Sequence, residues 1–401
     1  MGKLSADKPK VIIFSYFFLS LSIVFVWALG PYSDYTKTDV EKPTDFIMYM
    51  TGASIIKDGK VKEIYNRELQ TRYQNTLLAP NGMDGPLAFR ALPLTAYLYV
   101  PLLYLNPNVA FYTQAAINIV LLFLSIWLIK KSFQLNSDVF WLCTSTILAF
   151  IPFWSVVLGG HISVLMFLIV NLSIYLTKNS KYFLSGVLLG LLFLKANLLA
   201  LVPFFFIAEY LQNKRSIKNL GLGFLLSSFI IVGINILIYG PNLLTVYPKY
   251  LLLSESLEYG TALFRNYNPT SIMSLVTNNR LYLFGGSIII SLVIACLFLS
   301  LFRKTKNNDL LYATVPALGL FLNLHTMGCD LILLVLSIFL IGNYYFTKAK
   351  IPLVGLIKCF GVIFLFFICT WIGIYDMQIP GLIVMLLFFY FTLRSSIKKL
   401  A

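Results

Sequence analysis

Residues 281–302 read Leu281-Tyr-Leu-Phe-Gly-Gly-Ser-Ile-Ile-Ile-Ser-Leu-Val-Ile-Ala-Cys-Leu-Phe-Leu-Ser-Leu-Phe302, without one charged side chain, and stop against Arg303, Lys304 and Lys306. A stretch of this length crosses a ~30 Å hydrocarbon core as a helix, and basic residues at its end mark the cytoplasmic side of a membrane. Comparable runs recur along nearly the whole chain of 401 residues. Composition agrees: 59% of residues are hydrophobic and 12% charged, with a mean hydropathy of +0.82. Soluble domains carry roughly twice that charged fraction, and a β-barrel would show alternating segments of ~10 residues instead. The expected fold is an all-α polytopic membrane protein, with residues 1–401 as a single domain.

The net charge of +15 would suggest nucleic acid in a soluble protein. Here the basic residues sit in short clusters between apolar runs, the positive-inside pattern of a membrane protein, and nucleic acid is not an expected partner. The five cysteines, Cys143, Cys296, Cys329, Cys359 and Cys369, have no paired spacing; they read as small core residues and predict neither disulfides nor a zinc site. Residues 11–29 follow Lys3, Lys8 and Lys10 and are too long for a signal-peptide core. They read as an uncleaved first span with a cytoplasmic N-terminus, in a bacterium that of the inner membrane.

The one long polar segment, 31–90, holds eight acids and eight bases, so the positive charge lies elsewhere. A neutral segment following a span that begins inside belongs outside, which makes 31–90 the first outer loop. Clusters at Lys214/Arg215/Lys218, Arg303/Lys304/Lys306, Lys348/Lys350 and Arg394/Lys398/Lys399 are then cytoplasmic. The intervening spans fall near 219–239, 281–302, 310–323, 327–346, 351–372 and 379–396, with 240–280 a second outer loop. Residues 87–211 admit two schemes. Five full crossings fit the segment lengths but put Lys130/Lys131 and Lys178/Lys181 outside. A re-entrant 87–105, with 182–211 broken near Lys195 into two short helices, puts those lysines inside. Either scheme gives roughly eleven to thirteen membrane segments. Within the first loop, Thr44 caps a predicted helix with Phe46, Ile47 and Met50 on one face and Gly59 beyond its end. A second begins at Asn66 with Leu69, Tyr73 and Leu77 in line. Both are expected on the membrane surface.

No Walker A, Gly-rich dinucleotide turn, D-x-D pair, serine-hydrolase or zincin motif is present. What the sequence offers is a short set of ionisable residues in or beside apolar runs, where a charge is costly unless it meets a cavity or a partner. These are His161, Lys195, His325 and Asp330, with Asp45 and Arg90 at the outer boundary. Asp45 reads either as a first-turn acid complementing its helix dipole or as a general base. Lys195 reads as a snorkelling side chain or as a cation for a lipid phosphate. His325 and Asp330 flank a short turn and read as a mutual contact or as site residues, while His161 follows Gly159-Gly160 and is equally a plain loop residue.

The order of these residues resembles glycosyltransferase family 87, within the GT-C superfamily of polytopic transferases. Thr44-Asp45-Phe46-x-x-Tyr49-x-x-Gly52, followed by Lys57-Asp58-Gly59 and Ile64-Tyr65, is similar to the family's first outer loop. Leu158-Gly159-Gly160-His161-Ile-Ser163, Ser185-Gly-Val-Leu-Leu-Gly190 and Leu194-Lys195-Ala196 are similar to a second run. Asn268-Pro-Thr-Ser271 and the segment from His325 to Asp330 are similar to two later elements. His161 stands where the family usually has Gln, Ala196 where it has Pro, and Phe89-Arg90-Ala-Leu-Pro93 replaces a Tyr-Pro-Pro-like stretch.

The resemblance implies a GT-C-type bundle that moves a hexosyl group, mannose most commonly, from a polyprenyl-phosphate-linked sugar to a glycolipid, glycan or protein on the outer face, with inversion. Asp45 is the implied base. Lys195, His325, Arg265 and Arg90 are candidate cations for the donor phosphate, and Tyr49, His161, Asn268 and Asp330 candidate substrate contacts. No cofactor and no metal are expected. Two other readings are a transporter or flippase of lipid-linked sugars and a non-catalytic scaffold; a transporter should show internal pseudo-symmetry, which the chain lacks.

Overall fold

The computed structural model describes residues 45–80, 82, 85–148, 151–255, 266, 268–304, 307–323, 325–347 and 394. The expected spans at 11–29, 351–372 and 379–396, the Thr44 cap and Arg265 lie outside the described residues. Within them every regular element is helical. The outer-loop helices are α1 (Asp45–Lys57) and α2 (Arg67–Leu77), followed by α3 (Pro93–Tyr97) and a 3-10 turn at Val100–Tyr104. Then come α4 (Pro107–Phe133), α5 (Ser137–Leu148), α6 (Ile151–Gly159) and α7 (Ser163–Lys178). Next are α8 (Tyr182–Gly190), a 3-10 segment at Leu191–Ala200, α9 (Leu201–Gln212), α10 (Ser216–Tyr239) and α11 (Leu243–Ser254). The last are α12 (Pro269–Ser274), α13 (Arg280–Lys304), α14 (Asn308–Leu322), a 3-10 turn at Gly328–Leu333 and α15 (Leu334–Thr347).

Five described stretches are long and apolar enough to cross a membrane: Pro107–Phe133, Tyr182–Gln212, Ser216–Tyr239, Arg280–Leu301 and Gly328–Thr347. The second does not run straight. Lys195 leaves helical geometry (φ −132°, ψ 78°), and the amide of Asn213 donates to the Tyr182 hydroxyl at 3.1 Å, so both ends of the segment lie together. Phe193 and Phe206, on opposite limbs, both pack on Phe224 of α10. This stretch is a hairpin with Lys195 near its tip, the broken scheme of the two considered for 87–211.

The same lysines fix one end of the molecule. Lys178 pairs with Asp309 at 3.2 Å and lies 3.8 Å over Phe133; Lys131 lies over Tyr175 and Lys130 over Phe140. Lys214 and Arg215 follow the limb that returns beside Tyr182, and Arg303 and Lys304 end α13 just before Asp309. The clusters 130–131, 178–181, 214–218 and 303–304 therefore share one end. From it α5–α6 and α7, the hairpin α8–α9, and α14 with α15 rise and return as three helical hairpins. Their tips are His161, Lys195 and the stretch from His325 to Asp330. Helix α7, 16 residues long, places the tips about 24 Å from the basic end. The longer α4, α10 and α13 pass alongside, with 27, 24 and 25 residues.

Close packing holds the hairpin upright. A Cβ on Gly186 would fall 2.0 Å from the Leu220 carbonyl oxygen, and one on Gly223 2.0 Å from that of Phe183, so α8 and α10 meet backbone to backbone, as small residues allow in membranes.

The first outer-loop helix departs from expectation. Helix α1 does not lie on the membrane surface: Phe46, Ile47, Tyr49, Met50, Ala53, Ile55 and Ile56 are all buried. Apolar residues surround its axis, and a helix apolar on every side is a core helix. Phe46 meets Phe111 and Tyr99 edge-on, and Tyr49 stacks on Tyr99 at 4.6 Å. The second helix, α2, begins as expected, with Asn66 Oδ1 accepting from the Leu69 amide at 2.9 Å. The cysteines differ too: Cys143 and Cys329 are buried, while Cys296 is exposed on α13.

Candidate functional site

The three hairpin tips and helix α1 converge on one cavity of about 600 Å³. Asp45, Tyr49, Arg90, His161, Lys195, Glu255, His325 and Asp330 line it together with an apolar wall of Leu251, Leu252, Phe284 and Leu322.

Asp45 opens α1, and His161 is brought to it by the glycines before it. Gly160 has φ +67°, and a Cβ there would meet Phe46 at 2.6 Å; a Cβ on Gly159 would strike the His161 ring. Only glycine lets the α6–α7 turn press this closely on α1. Asn118 steadies the turn by donating to the carbonyls of Val156 and His161, both at 3.3 Å. His161 Nδ1 then lies 2.6 Å from Asp45 Oδ2. Charge attraction is the larger part of what the two groups exert on each other. Burial alone would raise the Asp45 carboxyl, but the His161 imidazolium outweighs it and holds the group at about 2. Burial alone would lower His161, and Asp45, with Cys329 nearby, pushes it up to about 10. The Asp45 side chain is 36% exposed, toward the cavity.

Lys195 is paired. Its ammonium donates to Asp330 Oδ1 and, at 2.6 Å, to the Ser163 hydroxyl, which itself donates to Asp330 at 3.0 Å. The Asn197 amide donates to Asp330 Oδ2 and to the His325 carbonyl. Asp330 is only 1% exposed, and ligands from three hairpins satisfy it. The expected His325–Asp330 contact does not form, because Lys195 occupies Asp330. Lys195 does not snorkel to an interface either, since the hairpin turns it inward.

Arg90 and His325 form a second group around Glu255. Gln70 and Gln74, both on the buried face of α2, clamp the extended stretch before Arg90: Gln70 accepts from the Phe89 amide, and Gln74 exchanges hydrogen bonds with Leu87 in both directions. The Arg90 guanidinium donates to the Ser254 hydroxyl at 3.0 Å and to the Ser254 carbonyl, with its Nη1 3.2 Å from His325 Nε2. Glu255 Oε1 sits 2.9 Å from His325 Nδ1 and 3.6 Å from Arg90 Nη1. Burial would raise the Glu255 carboxyl, but His325 and Arg90 outweigh it and hold it below the ordinary glutamate range.

Seven of the nine sequence candidates thus share the cavity. Asn268 does not line it: its side chain caps α12, accepting from Thr270 and donating to the Asn323 carbonyl at 2.7 Å. Arg265 lies outside the described residues. Sequence reasoning missed Glu255, an acid placed directly after the apolar run Leu251-Leu-Leu-Ser254; that abrupt charge was the available signal.

Asp45, His161 and Cys329 offer oxygen, nitrogen and sulfur donors within 4.8 Å of one another. Two ligands of one tetrahedral zinc sit roughly 3.3 Å apart, so Asp45 and His161, at 2.6 Å, are arranged as each other's ion partners.

Against known proteins, the model of "Glycosyltransferase family 87" matches residues 93–324, beginning after Asp45 and ending just before His325. No curated protein and no solved structure matches. With a family model spanning more than half of its length and a cavity walled by apolar helices, the chain belongs to glycosyltransferase family 87 and is a membrane glycosyltransferase.

Proposed function

We propose that the protein transfers a hexosyl group, with mannose the leading candidate, from a polyprenyl-phosphate-linked sugar to a hydroxyl of a glycolipid, glycan or protein on the extracytoplasmic side of the membrane. The observation that carries this reading is the convergence of Asp45 with Arg90, Lys195 and His325 in one apolar-walled cavity, at the end opposite the basic clusters. Positive charge marks the cytoplasmic side, which supports an outward-facing cavity.

In this reading an oxygen of Asp45 takes the acceptor's hydroxyl proton. The acceptor oxygen bonds to the anomeric carbon as the bond from that carbon to the phosphate oxygen breaks, inverting the centre in one displacement. The lipid leaves as a monophosphate whose growing charge falls on the Arg90 and His325 side, with Lys195 nearby and already balanced by Asp330. The apolar wall of Leu251, Leu252, Phe284 and Leu322 suits the prenyl chain. No metal or cofactor takes part. Family membership favours transfer over the transporter and scaffold readings.

Replacing Asp45 with Asn tests the base. Transfer from a polyprenyl-phosphate hexose should fall at least about a hundredfold while the protein still elutes as a folded species. Undiminished transfer would remove Asp45 from the chemistry. A wild-type protein inert toward every prenyl-phosphate hexose would remove the donor class. Chelators should leave the rate unchanged; a loss restored by a divalent ion would place a metal in the reaction.

A further inference from the structure

Of the three cavity acids, Asp45 serves as the base and Asp330 neutralises Lys195; Glu255 is left unexplained. It stands just past the end of α11, 8% exposed, with Oε1 on His325 and Arg90 and with Oε2 lacking a hydrogen-bond partner among the described residues. Arg90 Nε and Nη2 are held by Ser254, and its Nη1 faces His325 and Glu255 on the cavity wall. A guanidinium and an imidazole N–H bind carboxylate and phosphate oxygens through the same kind of hydrogen bond. Two anions set against the same two side chains repel strongly in a water-poor site.

We propose that Glu255 is a built-in stand-in for the donor's phosphate, occupying the seat between Arg90 and His325 when the site is empty and yielding it to the incoming lipid phosphate. This rests on the donor chemistry above and adds a residue to it. The exchange acts in both directions. In the empty site the carboxylate keeps Arg90 and His325 aligned, and after transfer it competes with the monophosphate product, which carries more charge than the donor diester, and hastens its release.

The test uses the full chain in detergent with a prenyl monophosphate as probe. Glu255→Gln keeps the shape of the side chain and removes its charge. The variant should bind the probe about tenfold more tightly, lower the donor KM, and lower kcat through retained product. Tightened binding is a gain that structural damage does not produce. Unchanged or weakened probe affinity overturns the proposal, as does a rise confined to the acceptor KM, which would make Glu255 an acceptor contact. Should the Gln variant not fold, Glu255→Asp decides, since its shorter carboxylate withdraws from that seat and should also tighten binding. A wild type that binds no prenyl phosphate sinks the donor reading itself; a wild type that binds it, with variants that bind equally well, sinks only the stand-in.

Discussion

Asp45 and His161 hold each other charged, and the sign of that coupling is testable. The carboxyl at about 2 against an ordinary 3.8 contributes stability above pH 3.8 that is lost as pH falls through about 2. The imidazole at about 10 against an ordinary 6.5 contributes stability below pH 6.5 that is lost as pH rises toward 10. The pair is at full strength between these ordinary values. In His161→Gln the carboxylate loses its nearest cation while burial persists, so the acid limb of the transfer pH profile should move up by at least about one unit; a limb that stays put would show that another group sets the charge on Asp45. Lys195 and Asp330 make a different case, because Asp330 is almost wholly enclosed. Lys195→Met strands that carboxylate and should cost about 3–5 kcal/mol, read as a lower melting temperature, whereas Lys195→Met with Asp330→Leu should recover most of the loss. If the double variant melts no higher than the single, the two charges are not a coupled pair.

Among the elements, the hairpin α8–α9 depends on its contact with α10. Gly186→Ala drives a Cβ against the backbone oxygen of Leu220, an atom that cannot swing away, and overpacking of this kind costs typically about 1–3 kcal/mol. The displacement travels to Lys195 at the tip, so activity should fall with stability. Gly233→Ala, on the same helix as Gly223 but with open space around it, should leave both unchanged or gain slightly in helix propensity. Equal losses from the two variants would mean that the close approach does not govern the fold. Helices such as α10, α13 and α14 were legible in the sequence to within a few residues, because an apolar run closed by lysine or arginine has few other readings. The break at Lys195 was legible as a charge inside such a run. In helix α1 the Phe46, Ile47 and Met50 face suggests a surface helix, whereas Tyr49, Ile55 and Ile56 on its other sides are buried as well. Partner choice was illegible throughout: Ser163 reaches Asp330 across 167 positions and Arg90 reaches Ser254 across 164, and no local pattern encodes such pairings.

The whole molecule is polarised, with four basic clusters gathered at one end and the cavity some 24 Å away, a distance taken from the rise of α7. A charge asymmetry of this kind fixes orientation in a membrane, and it discriminates sharply between the two schemes for residues 87–211. In five straight crossings, Ser180 and Lys214 emerge on opposite faces. In the hairpin they emerge together, as the Asn213–Tyr182 hydrogen bond requires. Single cysteines replacing Ser180, Lys214 and Asn242 in a cysteine-free background, probed with a membrane-impermeant thiol reagent on sealed cells, separate the alternatives. Positions 180 and 214 should both resist labelling until the membrane is opened, and position 242, beyond the far end of α10, should label at once. Labelling of 180 from outside would restore the straight crossing and part Lys195 from Asp330. Labelling of 180 and 214 but not 242 would turn the molecule over, placing Asp45 and its cavity on the cytoplasmic side, where a donor presented on the outer leaflet could not reach them.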